Sequence, residues 1–214
     1  MEYLAHRGAW SNRVDQNSFS ALCDALDKGF GLETDIRDLN GQLVISHDLP
    51  IADLSMPLEQ LLAYYKRGSF VSSLALNIKA DGLQVALSRM LEKYNIKNYF
   101  VFDMSIPDTL NYLKFDMCTF IRCSEFENYP KLELLTHGVW LDELSSGWIN
   151  KSVIIEKAQK AKKVCIVSGE LHGREYISQW RHIRDALSMD GLSKKLLLCT
   201  DFPEEAERFF NERN

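Results

Sequence analysis

Eight short apolar runs, each separated from the next by a stretch of helical pattern, constrain this chain more than any other feature of its sequence. The runs cover residues 3–5, 31–36, 74–78, 98–102, 117–121, 138–141, 163–167 and 196–199. Several are apolar throughout, as strands covered on both faces of a parallel sheet are expected to be. Helical patterns fall at 18–28, 57–66, 82–94, 107–113, 150–160, 175–187 and 203–211, with a weaker one in 126–135 that has room for a short helix. The first, SFSALCDALDK, puts Phe19, Leu22, Ala25 and Leu26 on one face, and Gly29 follows as a stop. Asn40-Gly41 ahead of the apolar run 42–46 predicts a hairpin, so that run extends the second strand instead of adding to the eight. Eight strands, each followed by a helix, predict an α/β chain of the (β/α)8 TIM-barrel class, with a small β-hairpin extension after strand 2. A doubly wound sheet would be expected to carry a glycine-rich phosphate loop after its first strand, and His6-Arg7-Gly8 is not one. No stretch reads as a linker, so residues 1–214 are expected to form a single domain.

Composition serves mainly to exclude. The net charge is −5, which argues against nucleic acid as a partner, because binding a phosphate backbone calls for a basic face. A small phosphate-bearing substrate needs only a few converging cations. No apolar run approaches the roughly 18 residues of a membrane helix, so no stable membrane insertion is expected. Only Met1 and Glu2 precede the first strand, so no secretory leader is expected. The five cysteines are scattered, and none forms a C-x-x-C pair. They read as reduced core residues of a cytoplasmic protein. The sequence does not specify an oligomeric state.

In a barrel of this class the reactive groups gather at the C-terminal ends of the strands. The first strand ends in His6-Arg7. The second carries Glu33 and Asp35, whose spacing of two puts both carboxylates on one strand face. The hairpin returns to His47-Asp48, and the third strand ends in Asn77-Ile78-Lys79. Asp103, Arg122, Asp142, Glu170, His172 and Asp201 follow the later strands. Each has a bland reading: a structural histidine, a solvated strand face, a loop residue, or, for Asp201, a cap on the last helix. Their coincidence favours function. So many charges meeting in one mouth are costly unless they neutralise one another, a metal or an anion.

These residues also carry a likeness. AHRG, QNSFSAL and GLETDIRDLNGQLVISHD, with the late LLLCTDFPEEAERFF, resemble the glycerophosphodiester phosphodiesterase family. The likeness is tight over 5–50, looser at 74–79, and returns at 196–210. It implies a (β/α)8 barrel. It also implies His6 and His47 as the general acid/base pair, Glu33 and Asp35 as ligands of a divalent cation, and Arg7 and Lys79 as the phosphate grip. A hard cation on oxygen ligands suits Mg²⁺ or Ca²⁺. Two departures stand out. The family's Glu-Asn-Thr before the first helix is Gln16-Asn17-Ser18 here, with Asp15 one residue earlier. The family's third-strand Glu is Asn77, whose amide oxygen can coordinate but brings no charge. Asp103 is then the natural carboxylate to help complete the shell.

The resulting expectation is metal-dependent hydrolysis of a phosphodiester with a polyol or sugar on one side. Attack by water and attack by a neighbouring hydroxyl both remain open, as does which histidine is acid and which is base. The alternatives are a barrel that binds a phosphorylated ligand without turnover, and a phospholipase D-like lyase, which would need an apolar or membrane-docking rim. Trp10, Trp140 and Trp148 are equally candidates for the mouth and for the core.

Overall fold

The structure, a computed structural model, describes residues 1–145 and 147–212. The chain divides into two compact units, Ala5–Thr119 and Met1–Leu4 with Phe120–Asn214. The first strand, β1 (Glu2–His6), begins in the second unit and ends in the first.

In the unit Ala5–Thr119 the central strand is β2 (Gly31–Leu39). It turns at Asn40-Gly41 into β3 (Gln42–Ile45), with Ile36 opposite Ile45 and Leu39 opposite Gln42. This is the expected hairpin extension. A two-residue strand, β4 (Met56–Pro57), pairs with β3 before α2 (Leu58–Gly68). On its parallel side β2 meets β5 (Leu74–Ile78), and β5 meets β6 (Tyr99–Phe102). The β2–β5 register sets Asp35 directly against Asn77. Residues 31–36 are buried without alternation, as in a sheet covered on both faces. The covering helices include α1 (Phe19–Asp27), α3 (Gln84–Lys93) and α4 (Ile106–Lys114). Ser18 caps α1, its Oγ accepting from the Ala21 amide at 3.2 Å, and Leu22, Ala25 and Leu26 form the buried face.

The second unit carries four parallel strands, β7 (Phe120–Cys123), β8 (Gly138–Leu141), β9 (Val164–Val167) and β10 (Leu196–Thr200), paired in that order. Its helices are α5 (Pro130–Leu135), α6 (Lys151–Lys160), α7 (Ile177–Leu187) and α8 (Pro203–Asn211). Trp140 lies in this interior, and Trp180 is fully buried with its indole N–H donating to Ser168 Oγ at 2.7 Å.

All eight parallel strands fall where the apolar runs stand. The fifth is displaced toward the C-terminus. Residues 117–119 make only an isolated bridge, Thr119 to Val101, and regular pairing begins at Phe120. Arg122 therefore sits inside β7, not at its end. Asp201 does not cap α8: Phe202 holds the cap position and no side chain bonds there, while the Asp201 amide donates to Glu170 Oε1 at 3.1 Å. Four of the five cysteines are buried, and Cys118 is half-buried.

Candidate active site

The site begins with the turn at His6-Arg7-Gly8. Arg7 (φ +56°) and Gly8 (φ +94°) are both left-handed, which reverses the chain sharply after β1. The Arg7 amide donates to Glu33 O at 2.9 Å, and Arg7 O accepts from the Asn17 amide at 2.9 Å. The Ala9 amide donates to Ala21 O at 2.8 Å. A Cβ on residue 8 would stand 2.6 Å from the Ala21 carbonyl carbon, so only glycine lets the turn lie this close to α1. The turn thereby fixes His6 and Arg7 over β2.

On β2, Glu33 is 2% exposed and Asp35 0%. Burying two carboxylates side by side is costly, and the surroundings show how the cost is met. Asp35 Oδ2 lies 2.9 Å from Arg7 Nε and accepts from Asn17 Nδ2 at 2.9 Å, while Lys79 Nζ stands 3.5 Å from Oδ1. Glu33 Oε1 accepts from Asn77 Nδ2 at 3.1 Å, and Oε2 lies 3.9 Å from His6 Nε2. Burial pushes the Glu33 carboxyl up to about 7. The Asp35 carboxylate adds to the rise, and His6, Arg7 and Asn77 oppose it.

Three oxygens from three side chains, Glu33 Oε2, Asp35 Oδ1 and Asn77 Oδ1, are buried without a hydrogen-bond partner. An unsatisfied buried acceptor is expensive, and three hard oxygen donors suit Mg²⁺ or Ca²⁺. The residues fit a divalent cation, with an amide as the third donor. Among the described residues no group of three or more His, Cys, Asp or Glu side chains is placed to hold a metal.

His47 stands on the segment after β3. That segment is tied to β2 by the Ser46 amide donating to Asp35 O at 3.1 Å. The half-exposed His47 ring places Nδ1 2.9 Å from Asp48 Oδ1, and Arg37 Nε donates to His47 O at 3.1 Å. His47 and Arg7 both line a groove of about 780 Å³. The structure thus gathers His6, Arg7, Glu33, Asp35, Asn77 and Lys79 into one network, and His47 shares a groove with Arg7.

Two assignments shift. Asp103 Oδ2 lies 3.3 Å from Lys79 Nζ, so Lys79 spans Asp35 and Asp103, and Asp103 answers a cation already on the chain. Asn17, a residue type that suits a helix cap, leaves that task to Ser18. From a left-handed backbone (φ +60°) its amide donates to Asp35, and its Oδ1 accepts from Thr34 Oγ1 at 2.7 Å. The signal available for it was its place in the family-like QNS segment. Gln16 Oε1 accepts from Arg7 Nη1 at 3.4 Å, while Asp15 is exposed.

Polar residues on and after the later strands, in the second unit, find partners within that unit. Asp142 Oδ1 lies 2.7 Å from His172 Nε2, and Arg122 grips Glu127 through two bonds of 2.9 Å. Glu170 accepts from the Ser168 and Thr200 hydroxyls, and burial raises its carboxyl above the usual range.

No protein-family model and no curated protein matches the chain. Solved structures do. A glycerophosphodiester phosphodiesterase from Parabacteroides distasonis is 18% identical with a TM-score of 0.70, covering 98% of this chain and 96% of that one. A phosphodiesterase from Oleispira antarctica, in complex with the product sn-glycerol-3-phosphate, is 16% identical with a TM-score of 0.73, covering 99% and 97%. A Ca²⁺-dependent phosphatidylinositol-specific phospholipase C from Streptomyces antibioticus is 9% identical with a TM-score of 0.60, covering 98% and 96%. By this likeness, which spans nearly its whole length, the chain has the α/β-barrel fold of the glycerophosphodiester phosphodiesterases.

Proposed function

We propose that this chain belongs to the glycerophosphodiester phosphodiesterases and is a phosphoric diester hydrolase, its two units acting as one domain. Its substrate is a small phosphodiester with a polyol or sugar on one side. The observation that carries this is the trio of buried oxygens on Glu33, Asp35 and Asn77 that accept no hydrogen bond, beside His6 and Arg7. The fold it shares with known phosphodiesterases supports the same reading.

Each group has a task. Arg7 and Lys79 present positive charge to the phosphoryl oxygens. A divalent cation, when held by Glu33, Asp35 and Asn77, would supply further positive charge for those oxygens. His6 and His47 share the proton work: one takes the proton of the attacking hydroxyl or water, and the other gives a proton to the leaving alcohol. The Asp48 carboxylate at Nδ1 of His47 favours the tautomer with its proton on that nitrogen, leaving Nε2 for the substrate. Five scattered cysteines, four of them buried, accord with a reducing, cytoplasmic setting. No helix among the described residues is long and apolar enough to cross a membrane.

Hydrolysis of glycerophosphodiesters with added Mg²⁺ or Ca²⁺ is the direct test. His6→Ala and His47→Ala should each lower kcat by about 10²–10⁴-fold while keeping the parent's circular dichroism. Full activity in either variant removes that histidine from the mechanism. One observation favours binding without turnover: Arg7 and Lys79 are already paired with Asp35. That reading requires phosphate binding with no diester cleaved at any metal concentration.

A further inference from the structure

Lys79 has two carboxylates within reach and does not treat them alike. Its Nζ donates a hydrogen bond to Asp103 Oδ2 at 3.3 Å. It lies 3.5 Å from Asp35 Oδ1 without bonding to it, and that buried oxygen accepts no hydrogen bond. Charge alone would favour the opposite choice. The Asp35 side chain is fully buried and that of Asp103 is 20% exposed, and a carboxylate away from water gains more from an adjacent ammonium. The more exposed carboxylate nevertheless takes the bond.

An uncommon backbone puts Asp103 there. The β5–β6 register ends with Asn77 opposite Phe102, so Asp103 is the first residue beyond the pairing. Its φ is +72°. A residue with a Cβ enters this left-handed region at a cost, least for Asn and Asp, and such conformations collect at functional sites. Lys79 is anchored separately, its amide donating to Ile36 O at 2.9 Å, which ties its backbone to β2. With both backbones held, the short Asp103 side chain catches the far end of the Lys79 side chain.

The consequence falls on Asp35 Oδ1, one of the three oxygens suited to a divalent cation. An ammonium bonded to that oxygen would occupy a lone pair and set a positive charge where the ion has to enter. We propose that Asp103 is a positioning residue: it holds the Lys79 ammonium off Asp35, which keeps Asp35 Oδ1 open to a cation and Lys79 available to a phosphate. The proposal rests on the phosphodiesterase reading for the phosphate and adds a competition to it. Lys79 and the cation both seek Asp35, and Asp103 tips the balance toward the cation.

Calorimetric titration of Mg²⁺ and of Ca²⁺ into the metal-free protein tests it through a double-mutant cycle. Asp103→Asn keeps the size and suits the left-handed backbone while removing the charge that draws Lys79 away. It should bind the cation about tenfold more weakly than the parent. Asp103→Gly relieves the backbone and should show the same loss, so the outcome does not depend on one variant folding. Lys79→Met should bind the cation at least as tightly as the parent. Adding Asp103→Asn to Lys79→Met should then change the affinity by no more than about twofold, because the residue acts through Lys79. Asp103→Glu restores the charge and should recover most of the affinity, although its backbone costs stability. Parent-like affinity in Asp103→Asn overturns the proposal. An equal loss with and without Lys79 also overturns it, by making Asp103 a cation ligand or a distant charge, and so does a parent that binds neither ion. The expected cycle with no glycerophosphodiester cleaved would keep the role of Asp103 and refute the phosphodiesterase reading. Cleavage with no coupling between Asp103 and Lys79 would do the reverse.

Discussion

At Gly8 two constraints act together, a φ of +94° and a backbone carbonyl where a Cβ would stand. Neither can be relieved by rotating a side chain. Gly8→Ala should cost more than about 2 kcal/mol and disturb Arg7, since the turn and α1 must part. Denaturant unfolding reads the first effect and phosphate affinity the second; a neutral variant would mean the turn has slack. Asn77 makes a subtler case. Its amide N–H donates to Glu33 while its oxygen stays unpartnered, so it serves a carboxylate and a cation site at once. Asn77→Asp replaces that donor with a third negative charge. Without metal the variant should be less stable than the parent. With Mg²⁺ or Ca²⁺ it should bind more tightly, because affinity in oxygen sites rises with ligand charge. Paired calorimetric titrations decide this, and equal affinity in the two proteins would take Asn77 out of the cation shell.

At the scale of elements, the segment before α1 divides its work between neighbours. Ser18 caps the helix, and Asn17 braces Thr34 and Asp35. Since Asn17 is left-handed, Asn17→Ala adds backbone strain to the loss of the brace, whereas Asn17→Gly removes the brace alone. Both variants should lose turnover, by about tenfold or more if Asp35 must be held for function. Only the alanine variant should also lose about 1 kcal/mol through its backbone. If glycine restores activity, the side chain has no positioning role. The same segment shows what sequence can and cannot convey. Apolar runs mark buried strands because burial on both faces removes alternation, so all eight parallel strands and the hairpin were legible. The carboxylate pair was legible from its spacing of two. The brace by Asn17 was not, because capping and bracing call for the same small polar residue before a helix. The pairing of Asp103 with Lys79 was not legible either, since it depends on distance across two strand ends. The fifth strand slipped because 117–119 is as apolar as the strand it leads into and only pairing separates them.

For the whole molecule, the buried carboxylates link stability to pH and to cations. An ordinary Glu carboxyl has a pKa near 4.5, and in the fold burial and Asp35 push Glu33 up to about 7. Below pH 4.5 the group is protonated in both folded and unfolded chains, and it imposes no cost. As pH rises, the unfolded chain gives up the proton first. The penalty on the fold therefore grows between 4.5 and 7 and is complete above 7, on the order of 3 kcal/mol. Glu33→Gln abolishes that penalty, so the metal-free variant should melt above the metal-free parent at pH 8 and show little advantage at pH 5. Measuring the difference between the two proteins cancels the other titrating groups they share. A divalent cation binds the deprotonated carboxylate and stabilises the fold by mass action, by about 2.7 kcal/mol at a hundred times its dissociation constant. Added Mg²⁺ or Ca²⁺ should thus raise the melting temperature of the parent at pH 8, raise it less at pH 5, and lose much of its effect in Glu33→Gln. Differential scanning calorimetry at the two pH values reads all of these together. A parent that melts at the same temperature with and without cation at pH 8 would show that Arg7 and Lys79 alone neutralise the pair. The phosphate would then have to compete with Asp35 for both.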